Sequence, residues 1–446
     1  MKATIQRILK NKVVKNAGWI IGEQIFQMLL SMVIGVLSAR YLGPSNFGAL
    51  NYAASFVAFF TSIASLGMDG VIIKKMIIAS SREGDYLGSC IAFRLVSSFL
   101  SSFSIVCIVA LLNPNDKLRI ILALIQSLQL VFQASHILNS WFQRYLKSKH
   151  VSLANMLASI LVSGYRVFLL VTSKSIIWFA FSSLVTQAFI GIVLFFNYKR
   201  GNGQKLSVSM ATGREVLSES YHFILSGLMV VIYSQIDKIM IGQMMTNADV
   251  GYYTTALSIC GIWTFIPLAI INSFRPVILE LKESGQEQKY LHRLQQVYSL
   301  IIWISIIASS TIFVFARFIV STLYGEAFLG AVDALKVAIW FETFSIIGTA
   351  RGIWILSENK NRYVKYYLGL GAILNVLLNA IMIPLFGIVG AAIATLVTQA
   401  FTSMIAPLFF VETRQHTSIV LHAISFTWYF KQRKGGDTDG DQGNAQ

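Results

Sequence analysis

Eight ionisable side chains stand inside long apolar stretches of this chain: Glu23, Arg94, Arg166, Asp237, Lys238, Lys336, Glu342 and Arg351. A charge held in hydrocarbon costs roughly 2.5–3.5 kcal/mol even on the lenient insertion scale, so a chain that keeps several of them uses them. The set is net positive, and cations remain after each acid has been paired. Arg94, Arg166, Lys238 and Arg351 could line a water-filled cavity and meet an anionic group, while Glu23, Asp237 and Glu342 could exchange a proton or cation. The competing reading is structural: Glu23 paired with Arg94, Asp237 paired with a neighbour, and Lys336 snorkelling from a helix end.

Uncharged polar residues form a second layer. Gln126, Gln129 and Gln133 share one helix face, as do Asn375 and Asn379. Such amides can bind sugar hydroxyls, and they equally serve hydrogen bonds between helices. Enzyme chemistry finds little support. The six histidines form no H-E-x-x-H pair, and no Gly-rich phosphate loop with its lysine occurs. Cys90, Cys107 and Cys260 are scattered through apolar runs without the spacing of a disulfide framework or metal site. Asp437, Asp439 and Asp441 imitate the start of a calcium loop, but Gln442 occupies the position that needs glycine, so the tail reads as solvated. No metal, cofactor or nucleic-acid partner is expected.

The elements that must position these residues follow from composition. The chain has 446 residues, 55% of them hydrophobic and 13% charged, a balance too apolar for a soluble surface. About 20 apolar residues cross a hydrocarbon core of roughly 30 Å. That measure predicts an all-α integral membrane protein with twelve helices, near residues 17–39, 47–68, 87–112, 118–142, 151–171, 176–197, 220–244, 251–274, 297–318, 334–357, 363–383 and 388–410. The formal charge of +16 concentrates in alternate loops, which the positive-inside bias assigns to the cytoplasm, together with both termini. The expected organisation is a cytoplasmic N-terminus (1–16), a six-helix lobe (17–197), a cytoplasmic linker (198–219), a second lobe (220–410) and a cytoplasmic tail (411–446) with an interfacial helix near 418–430. Pro267 is expected to break the eighth helix, and Pro384 with Gly387 and Gly390 to link the last two.

Two internal echoes divide the chain in half. SARYLGPSNFGALNYAAS at 38–55 is answered by IGQMMTNADVGYYTTALS at 241–258, each with a glycine just inside a new helix (Gly48, Gly251) and an alanine five residues on. SSLVTQAF at 182–189 returns as ATLVTQAF at 394–401. An even number of crossings separates the copies, which predicts parallel repeats with a cavity where they meet. Gly43 and Pro44 close the first corner, and the corner residues Gly43, Pro44, Gly48 and Gly251 are assigned to packing of the outer rim rather than to binding.

ARYLGPSNFGALNYA, WFQRYLK at 141–147, QIDKIMIG at 235–242 and VGYYTTA at 250–256 resemble the polysaccharide-exporter branch of the multidrug/oligosaccharidyl-lipid/polysaccharide exporter superfamily. Arg144 and Tyr145 depart from the smaller glycine of that pattern. The resemblance implies a V-shaped flippase that carries an undecaprenyl-pyrophosphate-linked oligosaccharide, such as an O-antigen repeat unit of lipopolysaccharide, across a bacterial cytoplasmic (inner) membrane by alternating access. It also implies an ion gradient as the drive and other polysaccharide-assembly proteins as partners. The alternatives are a multidrug/cation antiporter of the same superfamily and a membrane polysaccharide polymerase or acyltransferase.

Overall fold

Backbone groups in a bilayer find no water, so long apolar segments close their hydrogen bonds internally as helices. The computed structural model describes residues 12–424, and among them no strand occurs. The basic start at 1–11 and the tail beyond 424, including residues 425–430 of the expected interfacial segment, lie outside the described residues.

Helix α1, Lys12–Ala64, spans the first two predicted segments and breaks at Gly43, whose φ of 72° and ψ of 170° are not helical. A side chain at that φ would be strained, and Pro44 then supplies a preset φ for the first turn of the next helix. α2 (Asp69–Ile78) and α3 (Glu83–Leu112) follow. The fourth predicted segment arrives in pieces: α4 (Lys117–Ser127), α5 (Gln129–Gln133), a 3₁₀ turn at Ala134–Ile137 and α6 (Leu138–Arg144). Ser127 and Ser135 hydroxyls donate to the carbonyls of Leu124 and Phe132, three residues back. Such bonds compete with the helical ladder and bend it. α7 (Ser148–Val171) and α8 (Ile176–Arg200) complete the first set of predicted segments.

α9 (Met210–Met244) is capped by Ser209, whose hydroxyl accepts from the Thr212 amide at 3.3 Å. α10 (Asn247–Gly261) and α11 (Phe265–Glu283) meet at a 45° bend. The break falls before Pro267 rather than at it. Pro267 lies in the first turn of α11, where a missing N–H interrupts no intrahelical bond. α12 (Glu287–Tyr324), α13 (Val332–Ser357) and α14 (Val364–Ala400) follow, α14 running through a non-helical Gly387. A short π-helix at Phe401–Ile405 ends that rod, and α15 (Arg414–Ile424) closes the described chain. Eight described helices are long and apolar enough to cross a bilayer, or nine with the bent pair as one span. Two of these carry the Gly43 and Gly387 breaks and each holds two predicted segments, whereas α13, with its internal charges, is not among them.

The chain divides into two compact units, Met1–Thr254 with Leu323–Phe328, and Thr255–Thr322 with Leu329–Gln446. In the first, Trp141, Phe142 and Tyr198 are buried, with Trp141 and Tyr198 edge-to-face at 5.1 Å. The segment after α8 is strapped to the start of α3. Gln204 Oε1 accepts from the Gly84 amide at 3.1 Å, and the Ser209 amide donates to Ser89 Oγ at 2.9 Å. In the second unit, His416 of α15 is wholly buried against Trp354 and shares a 2.8 Å hydrogen bond with the Tyr298 hydroxyl. The LVTQAF repeat has a direct structural signature. Thr186 donates to the Ser182 carbonyl and Thr398 to that of Ala394, both at 2.8 Å.

Candidate functional site

α3 brings Arg94 into the interior of the first unit, 3% exposed, where Nη2 donates to Asp69 Oδ2 at 2.8 Å. Asp69 sits at the start of α2 with a largely exposed side chain. A cavity of ≈ 370 Å³ opens beside them, lined by Thr61, Ser65, Asp69, Arg94, Ser98 and His136 among others. Arg94 Nε and Ser98 Oγ are buried there without a partner among the described residues. Asp69, not Glu23, is therefore the counter-ion of Arg94. The sequence places Asp69 just beyond the second predicted segment, so it reads there as a loop charge.

Arg166, on α7, borders two further cavities. One, of ≈ 290 Å³, is lined by Ser38, Asn51, Gln126 and Gln129. The other, of ≈ 380 Å³, is lined by Gln24, Gln27, Ser159 and Thr186. Among the described residues Arg166 has no ion-paired carboxylate, so its guanidinium stands un-neutralised where amides and hydroxyls meet apolar side chains such as Phe47, Phe179, Met28 and Val162. Such a group offers a planar set of donors suited to phosphate or carboxylate oxygens.

Glu23 lies beside Gln24 and one turn before Gln27. Its Oε1 accepts from Gln27 Nε2 at 2.9 Å and from Asn155 Nδ2 at 3.0 Å, and the residue is 9% exposed. Asp237 is buried near the end of α9, where Oδ2 accepts from the Tyr253 hydroxyl at 2.6 Å. Lys238, half-buried beside it, donates to Gln235 Oε1 at 3.1 Å. In the second unit Arg351 donates to the carbonyl of Thr402 and lies 4.5 Å over the Tyr367 ring. That carbonyl belongs to the short π-helix at Phe401–Ile405. Glu342 is half-buried on α13, and Lys336 lies 3.7 Å from Asp333 in the first turn of the same helix. Asn375 and Asn379 are fully buried and joined at 3.1 Å. Within the first unit Arg94 and Arg166 border separate cavities, and in the second Arg351 is held by the backbone of its own unit.

The corner glycines meet each other. A Cβ on Gly48 would fall 1.7 Å from the Asn247 carbonyl oxygen, and one on Gly251 would fall 2.2 Å from that of Pro44. Each carbonyl lies four residues before the opposite glycine, so the contact is reciprocal, as two copies of one corner related by a two-fold axis would make it. Phe328 covers the junction edge-on to Phe47 and Tyr252, at 6.2 and 6.3 Å.

Two buried ionic groups outside the predicted set matter as much. Glu83, 2% exposed at the start of α3, accepts from Arg144, from the Tyr145 hydroxyl at 2.7 Å and from Trp141 Nε1 at 3.2 Å. Arg144 and Tyr145, the departure from the family pattern, are therefore the partners of one buried carboxylate. Arg119, 8% exposed, bonds to Gly242 and Asn247 on one side of the corner junction and to Asn113 on the other. Both residues lie at segment ends, where a charge ordinarily means a solvated loop.

No group of metal-binding side chains occurs among the described residues. Long apolar helices enclosing polar, guanidinium-bearing cavities define a multi-pass membrane transporter. The chain belongs to the polysaccharide biosynthesis protein family, whose profile matches residues 13–282, and so to the polysaccharide-exporter branch of its superfamily; the MatE profile matches residues 223–381. It is 23% identical over 82% of its length to 77% of a Haloferax volcanii protein named a probable low-salt glycan biosynthesis flippase, Agl15. It is 24% identical over 86% of its length to 80% of a second protein of that organism, the probable flippase AglR. Among solved structures the lipid II flippase MurJ in an inward closed conformation shares the fold at a TM-score of 0.71, with 16% identity, 95% of this chain and 93% of that one covered.

Proposed function

We propose that this protein is a flippase for lipid-linked oligosaccharide, carrying a sugar chain on undecaprenyl pyrophosphate from the cytoplasmic to the outer leaflet of a bacterial cytoplasmic membrane. Family membership and the flippase relatives support the class of cargo. The observation that carries the reading is Arg166, a guanidinium without an ion-paired carboxylate among the described residues, bordering two cavities whose linings mix amides and hydroxyls with apolar side chains. Amides and hydroxyls suit a glycan, and the cation suits its phosphates. In this reading lobes 17–197 and 220–410 alternate around the cargo, joined by 198–219, with both termini cytoplasmic. Lys238 and Arg351 provide further positive charge, while Glu23, Asp237 and Glu342 are the candidates for ion coupling. The MatE match favours a second reading, export of cationic drugs. The free cation at Arg166 argues against it, since it would repel such cargo.

The test is complementation of a strain whose glycan flippase is depleted. Wild-type protein restores surface glycan, whereas Arg94→Ala, Arg166→Ala and Arg351→Ala reduce it at unchanged membrane levels, with lipid-linked sugar accumulating at the cytoplasmic face. Normal export by all three variants would refute the cationic cavity. Drug resistance without glycan rescue would favour the antiporter, and conversion of single-unit to polymeric glycan would favour a polymerase.

A further inference from the structure

Arg119 stands in the first turn of α4, behind Asp116, which caps that helix by accepting the Arg119 amide at 3.0 Å. Its guanidinium reaches three stretches of chain far apart in sequence. Nη1 donates to the carbonyl of Gly242 in the last turn of α9 at 2.8 Å, and to Asn113 Oδ1 at 2.5 Å. Nε donates to Asn247 Oδ1 at the start of α10, at 2.9 Å, and the group lies 4.4 Å over the ring of Tyr52. Tyr52 is fully buried in the first corner, and its hydroxyl accepts from Asn113 at 2.9 Å and from Gln243. Asp116 Oδ2, 3.2 Å away and partly exposed, provides the counter-charge.

The chemistry of these partners is asymmetric. Gly242, Gln243 and Asn247 belong to the α9–α10 corner, and Asn113, Asp116 and Tyr52 to the α1 and α3–α4 side. Between the two sets lies the reciprocal Gly48–Gly251 contact, which has no side chain of its own to hold it. If the corners part, Arg119 loses the Gly242 and Asn247 acceptors, and Gln243 loses Tyr52. Arg119 keeps Asp116 and Asn113, and water reaches its freed donors. A guanidinium at a helix C-terminal carbonyl is stabilised by the helix dipole. Charge-assisted hydrogen bonds of this kind are strong when dry and replaceable when wet. The arrangement therefore has two satisfied states.

We propose that Arg119 is the latch of an outer seal: it holds the α1 and α9–α10 corners together across the glycine contact, and its release opens the exit for the cargo. The inference rests on the flippase reading for the cargo and on the positive-inside orientation for the side. Arg119 positions the gate and has no assigned contact with the cargo.

The test needs no cargo. Ala49, 1% exposed beside Gly48, becomes the single cysteine of a protein whose Cys90, Cys107 and Cys260 are replaced by serine. A membrane-impermeant maleimide is added outside intact cells. Arg119→Ala should raise its labelling rate by about five- to thirty-fold, the population shift that corresponds to losing roughly 1–2 kcal/mol. Arg119→Lys, which keeps the charge and loses the planar fork, should fall between. A parallel protein that retains only Cys90, fully buried in the first unit, reports the fold and should remain unlabelled. An unchanged rate at Ala49→Cys, labelling only in inverted vesicles, or labelling of Cys90 as well would each overturn the latch. Faster labelling at the reporter in a protein that never restores glycan would leave the latch standing and overturn the flippase reading instead.

Discussion

Replacing Gly48 by alanine adds one methyl group where, of the described glycines, a Cβ would meet its neighbour most closely. The new Cβ would lie 1.7 Å from the Asn247 carbonyl oxygen and 2.7 Å from the Gly251 amide nitrogen. Ordinary contact begins near 3.4 Å, so the two corner helices must separate by more than an ångström, and both partners are backbone rather than pliable side chains. Overpacking of this kind costs about 1–3 kcal/mol. Alanine in a helix interior returns about 0.5–1 kcal/mol over glycine, leaving a net loss of up to about 2.5 kcal/mol. Gly35 provides the control, since it lies on the same helix with nothing within 4 Å of its Cβ position, and there alanine should be neutral or stabilising. Unfolding in detergent, followed by tryptophan fluorescence, compares the two. Gly251→Ala should destabilise in the same direction, and the double variant should lose less than the sum, because one separation relieves both clashes. If Gly48→Ala is as stable as Gly35→Ala, the reciprocal corner contact is wrong.

Glu83→Gln leaves the shape at the start of α3 but removes the charge that Arg144 is buried against. Breaking a buried ion pair from one side costs about 3–5 kcal/mol, so the variant should unfold much earlier in the same assay, and a change below about 0.5 kcal/mol would refute the assignment. His416 supplies a pH dependence. Burial, and secondarily the Arg351 charge, holds its imidazole well below the usual histidine value. The folded pKa is depressed, so docking of α15 is at full strength above the unfolded value near 6.5 and weakens as pH falls below it, because the unfolded state then binds more protons. Limited proteolysis of α15 should accelerate between about pH 7.5 and pH 5, and His416→Phe should flatten that profile. Equal cleavage of wild-type protein at both values would contradict the buried neutral histidine.

Local composition is enough to read this chain as helical and membrane-spanning, because the bilayer permits few ways to satisfy a backbone and the 20-residue apolar runs announce themselves. The repeats were legible for the same kind of reason: copies of one corner keep their glycines, and copies of one helix keep a threonine that bonds four residues back in both places. Individual charges in apolar runs were equally visible, since hydrocarbon makes each of them conspicuous. Partner choice was not. Arg94 binds Asp69 rather than Glu23, Glu83 gathers Trp141, Arg144 and Tyr145, and Arg119 bridges two corners. Each depends on residues at segment ends, which sequence patterns assign to water.

Breaks in the helices show the same division. Gly43, Gly387 and the bend before Phe265 were marked by nearby prolines, Pro267 displacing the last of these by a few residues, whereas the 3₁₀ turn at Ala134–Ile137 carries no comparable signal. A glycine after a span declares that the chain can approach something closely. Only the folded chain shows that Gly48 meets the carbonyl before Gly251, and Gly251 the carbonyl before Gly48. Sequence alone determined the helices and the residues too costly to leave unused, because those are properties of a segment in its solvent. Tertiary structure decided which charges meet a counter-charge and which, like Arg166, border cavities without an ion-paired carboxylate among the described residues, because that depends on distances between segments far apart in the chain.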